Sequence, residues 1–344
     1  MRIFYGVQGT GNGHLSRARA MARHFSGRNA DVSYLFSGRA RDDFFSMDVF
    51  GDFQLKQGLT FSVNNGKVSY PRTLLKNNLA RFLRDILTLD LAAYDVVISD
   101  FEPVTAWAAR IQGKQLVSIG HQLAFLHDIP VAGGDPLARW VLRNFAPGHI
   151  NIGLHWHHFQ QPVLPPIIHL DPDTPPVIDN KVLVYLPFEN QNQLVAVLKR
   201  FPAWDFYIYA AGHRQEDAGN IHLRSYSLDG FQYDLKSAGG VICNAGFELP
   251  SECLQLGKKL LVKPLLGQME QESNGRALTQ LGLATVVQGI TVERLGVWLR
   301  LANINTPMHY PDVAETLVDW VLSGCPGNIS SLAATLWKDF PVSG

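Results

Sequence analysis

A glycine-rich turn, Gln8-Gly9-Thr10-Gly11-Asn12-Gly13-His14, separates the run Ile3-Phe4-Tyr5-Gly6-Val7 from a segment of helical period between His14 and Phe25. Glycines let a backbone turn sharply and approach a ligand, and a helix start offers free N–H groups to an anion. A dinucleotide loop counted from Gly9 and Gly11 would need glycine where His14 stands, and an acid at the end of the next strand, where Leu35-Phe36-Ser37 stands. Nicotinamide and flavin chemistry are therefore disfavoured. His14 at the mouth of a helix suits a general base, because a neutral imidazole takes a proton from a hydroxyl near pH 7. A capping histidine that only fixes the loop accounts for it equally well.

The second chemical cluster is Asn244-Ala245-Gly246-Phe247-Glu248-Leu249-Pro250-Ser251-Glu252, followed by Gly257, Pro264 and Gln268-Met269-Glu270-Gln271-Glu272-Ser273-Asn274. Glu248 and Glu252 are one helical turn apart on one face, where carboxylates can accept hydrogen bonds from vicinal hydroxyls. These residues resemble the nucleotide-sugar signature of GT-B glycosyltransferases, the superfamily of the plant and macrolide UDP-glycosyltransferases and the MurG-like peptidoglycan N-acetylglucosaminyltransferases. The plant form begins His-Cys-Gly and carries a ribose-binding Glu eight positions after its His, a Gly thirteen after and a Pro twenty after. Counted from Asn244, those places hold Glu252, Gly257 and Pro264, and Gly246 matches the signature's own Gly. The closing acid-Gln pair is Glu270-Gln271, and Gln271 follows Glu252 by the nineteen positions of the peptidoglycan enzyme. Gly11-Asn12-Gly13-His14 is similar to the Gly-rich, His-ending loop of the same family. The chain departs from the pattern at Asn244, where the signature has His, and at Glu248-Leu249, where it has Asn-Ser.

The resemblance implies a nucleoside-diphosphate sugar as co-substrate, UDP-linked, with no other cofactor, and an inverting transfer without metal. Glu252 would bind the ribose and Glu270 with Gln271 the sugar, while Gly246, Glu248, Asn190 and Ser225 would complete the donor site. Gly11, Asn12, Gly13 and His121 would line the acceptor and phosphate loop. His14 is the expected base. Asp100, at the end of Val96-Val97-Ile98-Ser99, either caps the helix starting near Pro103, the favoured role, or orients His14 or acts as base itself. Glu248 would repel a diphosphate unless it faces the sugar or an arginine.

These residues need strand-to-helix junctions to hold them, and β-branched runs alternate with helical segments throughout. Strands are expected at Ile3–Val7, Asp31–Phe36, Val96–Ser99, Leu116–Ile119, Val182–Leu186, Phe206–Tyr209, Gly240–Cys243 and Leu260–Val262. The longest amphipathic helix of the first half is expected over Thr73–Leu91. The fold class is α/β, of the GT-B type: an acceptor-binding Rossmann-like domain over residues 1–165, a Pro-rich linker over 166–180, and a nucleotide-sugar domain over 181–344. The last helix is expected to pack back on the first domain.

The 344 residues carry 30 Lys+Arg against 30 Asp+Glu. That balance argues against a nucleic-acid partner, which calls for a basic face. Three cysteines, Cys243, Cys253 and Cys325, are too few for a disulfide framework and fit a reducing compartment. Met1 leads almost directly into the first strand, so no signal peptide is expected. A cytoplasmic protein is expected, with peripheral contact at the inner membrane face through Thr73–Leu91 and Leu137–Phe145 should the acceptor be lipid-linked; a small-molecule acceptor is the alternative. His155-Trp156-His157-His158 reads as interdomain surface and not as a metal site, since no nearby Cys or carboxylate completes a ligand set. Two other functions stay open: a sugar-nucleotide epimerase of the same architecture, and a catalytically silent nucleotide-sugar-binding protein.

Overall fold

The computed structural model describes residues 1–59, 63–64, 67–68, 78–133, 136–170, 173–210, 212, 214–338 and 340. The first half is a six-stranded sheet of β1 (Arg2–Gln8), β2 (Asp31–Ser37), β3 (Phe53–Lys56), β4 (Val96–Asp100), β5 (Leu116–Gly120) and β6 (Ile150–Gly153), in the order β3-β2-β1-β4-β5-β6. Every pairing in it is parallel. Helices α1 (Asn12–Phe25), α2 (Leu79–Thr88), α3 (Pro103–Ile111) and α4 (Pro136–Asn144) accompany these strands. The central strands β1, β4 and β5 are buried almost end to end because both faces of the sheet are covered there. In β1, Ile3, Tyr5 and Val7 enter one core cluster, while Phe4 enters another with Val97, Val104 and Leu116, as the two-residue period of a strand requires.

The second half repeats the plan with β7 (Ile178–Tyr185), β8 (Asp205–Tyr209), β9 (Glu216–Ala218), β10 (Ile221–Arg224), β11 (Ala238–Asn244), β12 (Lys259–Lys263) and β13 (Thr285–Val286), in the order β9-β10-β8-β7-β11-β12-β13. Only the edge pair β9–β10 is antiparallel. Helices α5 (Gln191–Leu198), α6 (Leu228–Ser237), α7 (Glu248–Gln255), α8 (Met269–Gln280) and α9 (Val292–Arg300) belong to this half. Two further helices, α10 (Val313–Leu322) and α11 (Ile329–Trp337), return to the first: Arg28 on the loop after α1 pairs with Asp319, His24 lies 3.1 Å from Asp312, and the Trp337 indole donates to Val163 O at 2.7 Å.

In each sheet the strand order reverses once, between β1 and β4 and between β7 and β11. The crevice at the carboxyl ends of such strands is where open α/β sheets hold ligands. The first crevice carries the turn before His14 and the end of β4 at Asp100; the second carries the turns before α5 and α7.

Two expectations change. The Thr73–Leu91 helix is described from Leu79 to Thr88, capped by the Asn78 side chain, which accepts from Arg81 N at 2.9 Å; residues 73–77 lie outside the described residues. The His155–His158 run lies between the halves but is more deeply set than a surface: His155 and Trp156 are fully buried, His157 and His158 are half-buried, and the Trp156 indole donates to Ser251 Oγ at 2.8 Å. Among the described residues no group of three or more His, Cys, Asp or Glu is placed to hold a metal ion, and no helix is long and apolar enough to cross a membrane. Leu79, Leu83 and Leu87 form an exposed row on α2.

Candidate active site

His14 sits in the first turn of α1, directly beyond β1, and its Nδ1 lies 2.7 Å from Asp100 Oδ1. An ionised carboxylate only accepts, so this shorter contact calls for the proton on Nδ1 and the lone pair on Nε2; Arg17 Nη2, a donor, also lies 3.0 Å from Nδ1 and has Asp100 Oδ1 as its nearer acceptor at 2.6 Å. Among the described residues Nε2 has no hydrogen-bond partner, and the side chain is 13% exposed. One turn further along α1, Arg17 grips the same carboxylate with a fork, Nε to Oδ2 at 2.7 Å and Nη2 to Oδ1 at 2.6 Å. Burial alone would raise Asp100; the guanidinium and the imidazole outweigh it and hold its pKa below the usual carboxylate value.

Asp100 therefore does not cap α3. That role falls to Glu102, whose oxygens accept from Val104 N at 3.0 Å and Thr105 N at 2.6 Å. The intervening Phe101 adopts φ +50°, a left-handed conformation costly for a bulky residue, and the turn aims Asp100 and Glu102 at different partners.

The second half closes on this pair. Arg17 Nη1 donates to Glu248 Oε1 at the start of α7, and the guanidinium is 2% exposed. A Cβ on Gly13 would stand 2.6 Å from Glu248 Cγ, so the glycine makes room for the approach. Ser16 Oγ donates to Glu252 Oε1 at 3.1 Å. Burial pushes Glu248 up to about 7, with Arg17 opposing, and pushes Glu252 up to about 8, with Glu248 adding to it. Asn12 donates to the Tyr185 hydroxyl at 3.1 Å and accepts from Arg39 at 3.0 Å. Gln122 Nε2 donates to Glu270 Oε2 at 3.2 Å, while its Oε1 is buried with no partner among the described residues.

Other expected residues are placed differently. His121 is not open to an acceptor: it is 1% exposed, stacked on Phe247 with ring centroids 4.0 Å apart, and its nitrogens lie 2.8 Å from Leu154 O and 2.6 Å from Asn274 Oδ1. Burial lowers its pKa. Gln271 Oε1 accepts from Leu265 N at 2.9 Å and shapes the turn before α8. Asn190 caps α5 by accepting from Gln193 N at 3.1 Å, and Ser225 is exposed beyond β10. Gly246 borders open space, since a Cβ there meets nothing within 4 Å. Gly11 is the N-cap residue of α1, which takes no side-chain cap and has no acid in its first turn.

Arg17 is the residue of this cluster that motif spacing missed. Its signal was available, since positions three apart on a helix share a face and Arg17 follows His14 by three. Nearby, a cavity of about 430 Å³ opens between the loop after β5 and α8, lined by Phe125, His127, Leu142, Arg143, Met269 and Arg276.

The family model described as glycosyl transferase family 1 matches residues 1–302. No protein of curated function matches the sequence. Among solved structures, the glycotransferase of kitacinnamycin is 15% identical, with 99% of each chain covered and a TM-score of 0.60. The glycosyltransferase SnogD from Streptomyces nogalater is 15% identical over 98% of this chain and 99% of its own, at 0.57. MurG from Acinetobacter baumannii is 16% identical over 98% and 99%, at 0.54. At these identities the likeness is one of fold: two Rossmann-like halves of the GT-B type.

Proposed function

Because this chain belongs to glycosyl transferase family 1 and is a glycosyltransferase, we propose that it moves a sugar from a UDP-linked donor to an acceptor hydroxyl, with inversion at the anomeric carbon and without a metal ion. The observation that carries this reading is the His14–Asp100 pair at the reversal point of the first sheet, with Nε2 free. In the step we propose, the acceptor O–H gives its proton to His14 Nε2 and the oxygen forms a bond to the anomeric carbon. The bond to the nucleoside diphosphate breaks with its electron pair on the departing phosphate. Asp100 holds the imidazole in the required tautomer and balances the imidazolium that forms.

The uncapped first turn of α1 supports a metal-free reading, since N–H groups at a helix start stabilise developing negative charge. The space over Gly246 suits the donor. Glu252 already takes a hydroxyl from Ser16, the type of contact a ribose would make, and Glu270 at the start of α8 would take the sugar hydroxyls in this reading, with Gln271 beside it holding the turn before the helix. The cavity beside α8 is the acceptor end in this reading.

The test is incubation with UDP-, dTDP- and GDP-sugars, scoring nucleoside diphosphate release with small-molecule and lipid-linked acceptors. Acceptor-dependent release that His14→Ala abolishes is expected. Sugar interconversion without acceptor would instead indicate an epimerase, and binding with no turnover a silent binding protein.

A further inference from the structure

We propose that Glu248 is a positioning residue for the base and not a donor ligand: through Arg17 and Asp100 it sets the basicity of His14, and it does so only while the two halves are in contact. The proposal rests on the reading of His14 as the base. It explains why an acid stands at a signature position where a carboxylate would repel a diphosphate.

The geometry is a chain of charges. Arg17 spends Nε and Nη2 on Asp100, at 2.7 and 2.6 Å, and Nη1 on Glu248, which belongs to the other half of the molecule. Without Glu248, the guanidinium cancels the charge of Asp100, and a proton arriving on His14 meets a neutral pair. With Glu248 ionised the three groups carry one net negative charge, which the imidazolium balances. Arg17 is 2% exposed and Asp100 is fully buried, so the charge acts over these two intervening side chains with less screening than at the surface. A second, independent feature serves the same contact: any side chain at Gly13 would collide with Glu248, with its Cβ 2.6 Å from Cγ. The backbone beside His14 is thus shaped to admit this carboxylate.

The titratable groups facing Glu248 are Arg17 from α1, Asp100 from β4, Glu270 from α8 and Tyr5 from β1, with Glu252 one turn along α7. Burial keeps the Tyr5 hydroxyl protonated. Glu248 itself, pushed up to about 7, passes from neutral to ionised across the range in which a base must work. Its two states are coupled to those of His14.

The experiment follows the His14 imidazole by carbon-13 NMR in the full chain labelled at histidine, with the resonance assigned by its loss in His14→Gln. Glu248→Gln, which preserves shape and can still accept from Arg17, is expected to lower the His14 midpoint by about half to one pH unit. Gly13→Ala leaves both side chains intact and displaces Glu248, and it is expected to shift the midpoint the same way. UDP affinity by calorimetry should change less than about threefold in Glu248→Gln. An unmoved midpoint in whichever variant folds overturns the relay, as does a more than tenfold loss of UDP binding. Failure of the base reading looks different: His14→Ala would then retain acceptor-dependent turnover, whatever the midpoint does.

Discussion

Replacing Glu252 by Gln is expected to stabilise the ligand-free protein at alkaline pH and to leave it unchanged at acid pH. Burial, with Glu248 adding to it, raises Glu252 from 4.5 to about 8. Between those values the folded chain keeps a proton that the unfolded chain has lost, so stability falls as pH rises, opposite to the usual salt-bridged carboxylate. The loss is absent below pH 4.5 and complete above about 8. At about 1.4 kcal/mol per pH unit, the span amounts to about 4–5 kcal/mol at its limit, of which we expect about 3 kcal/mol to be recovered by the neutral amide at pH 8. The amide oxygen of Glu252→Gln would still accept the Ser16 hydroxyl, so the comparison isolates the charge. For a chain of 344 residues, 3 kcal/mol corresponds to about 4 °C in melting temperature. Scanning calorimetry of both proteins at pH 5 and pH 8 reads this directly. Equal melting temperatures at pH 8, or an advantage that does not shrink toward pH 5, would refute the reasoning.

His14→Ala is expected to lower turnover by about 10²–10⁴-fold while UDP affinity changes little, as steady-state kinetics and calorimetry together would report. Ser251→Ala strips the partner from the buried Trp156 indole between the halves and should cost about 1–3 kcal/mol in urea unfolding. Glu102→Ala uncaps α3 and removes the acceptor of the Ser37 hydroxyl at 2.7 Å, for a loss of about 1–2 kcal/mol by the same measurement. Turnover should survive EDTA, and restoration by added Mg or Mn after its loss would contradict the helix-terminus reading.

Most of the strand and helix frame was legible because it is local. Ile3–Val7, Val96–Ser99 and Gly240–Cys243 fall inside the observed β1, β4 and β11, and the helical turn that sets Glu248 and Glu252 on one face lies in α7. Strands without an apolar pattern were not legible: Glu216–Ala218 is exposed along its length and exists by pairing with β10. At the site, the Gly-rich turn and the Asn244–Gln271 spacing pointed to two junctions that the structure brings into contact, through Gly13, Arg17 and Glu248. They did not identify partners. Asp100 and Glu102 flank Phe101 as two equivalent acids, and only the left-handed backbone at Phe101 sends one to His14 and Arg17 and the other to cap α3.

What the sequence determined by itself was therefore the periodic frame, the glycines at the turns and the chemical types standing after each strand, since these depend on residues within a turn or two of one another. What the tertiary structure decided was pairing and protonation. Glu248 finds Arg17 across 231 positions of chain, His121 finds Asn274 across 153, and the upward shifts of Glu248 and Glu252 come from burial between halves that are remote in sequence. The physical reason is that desolvation and Coulomb interactions depend on distance in space, which local spacing does not encode.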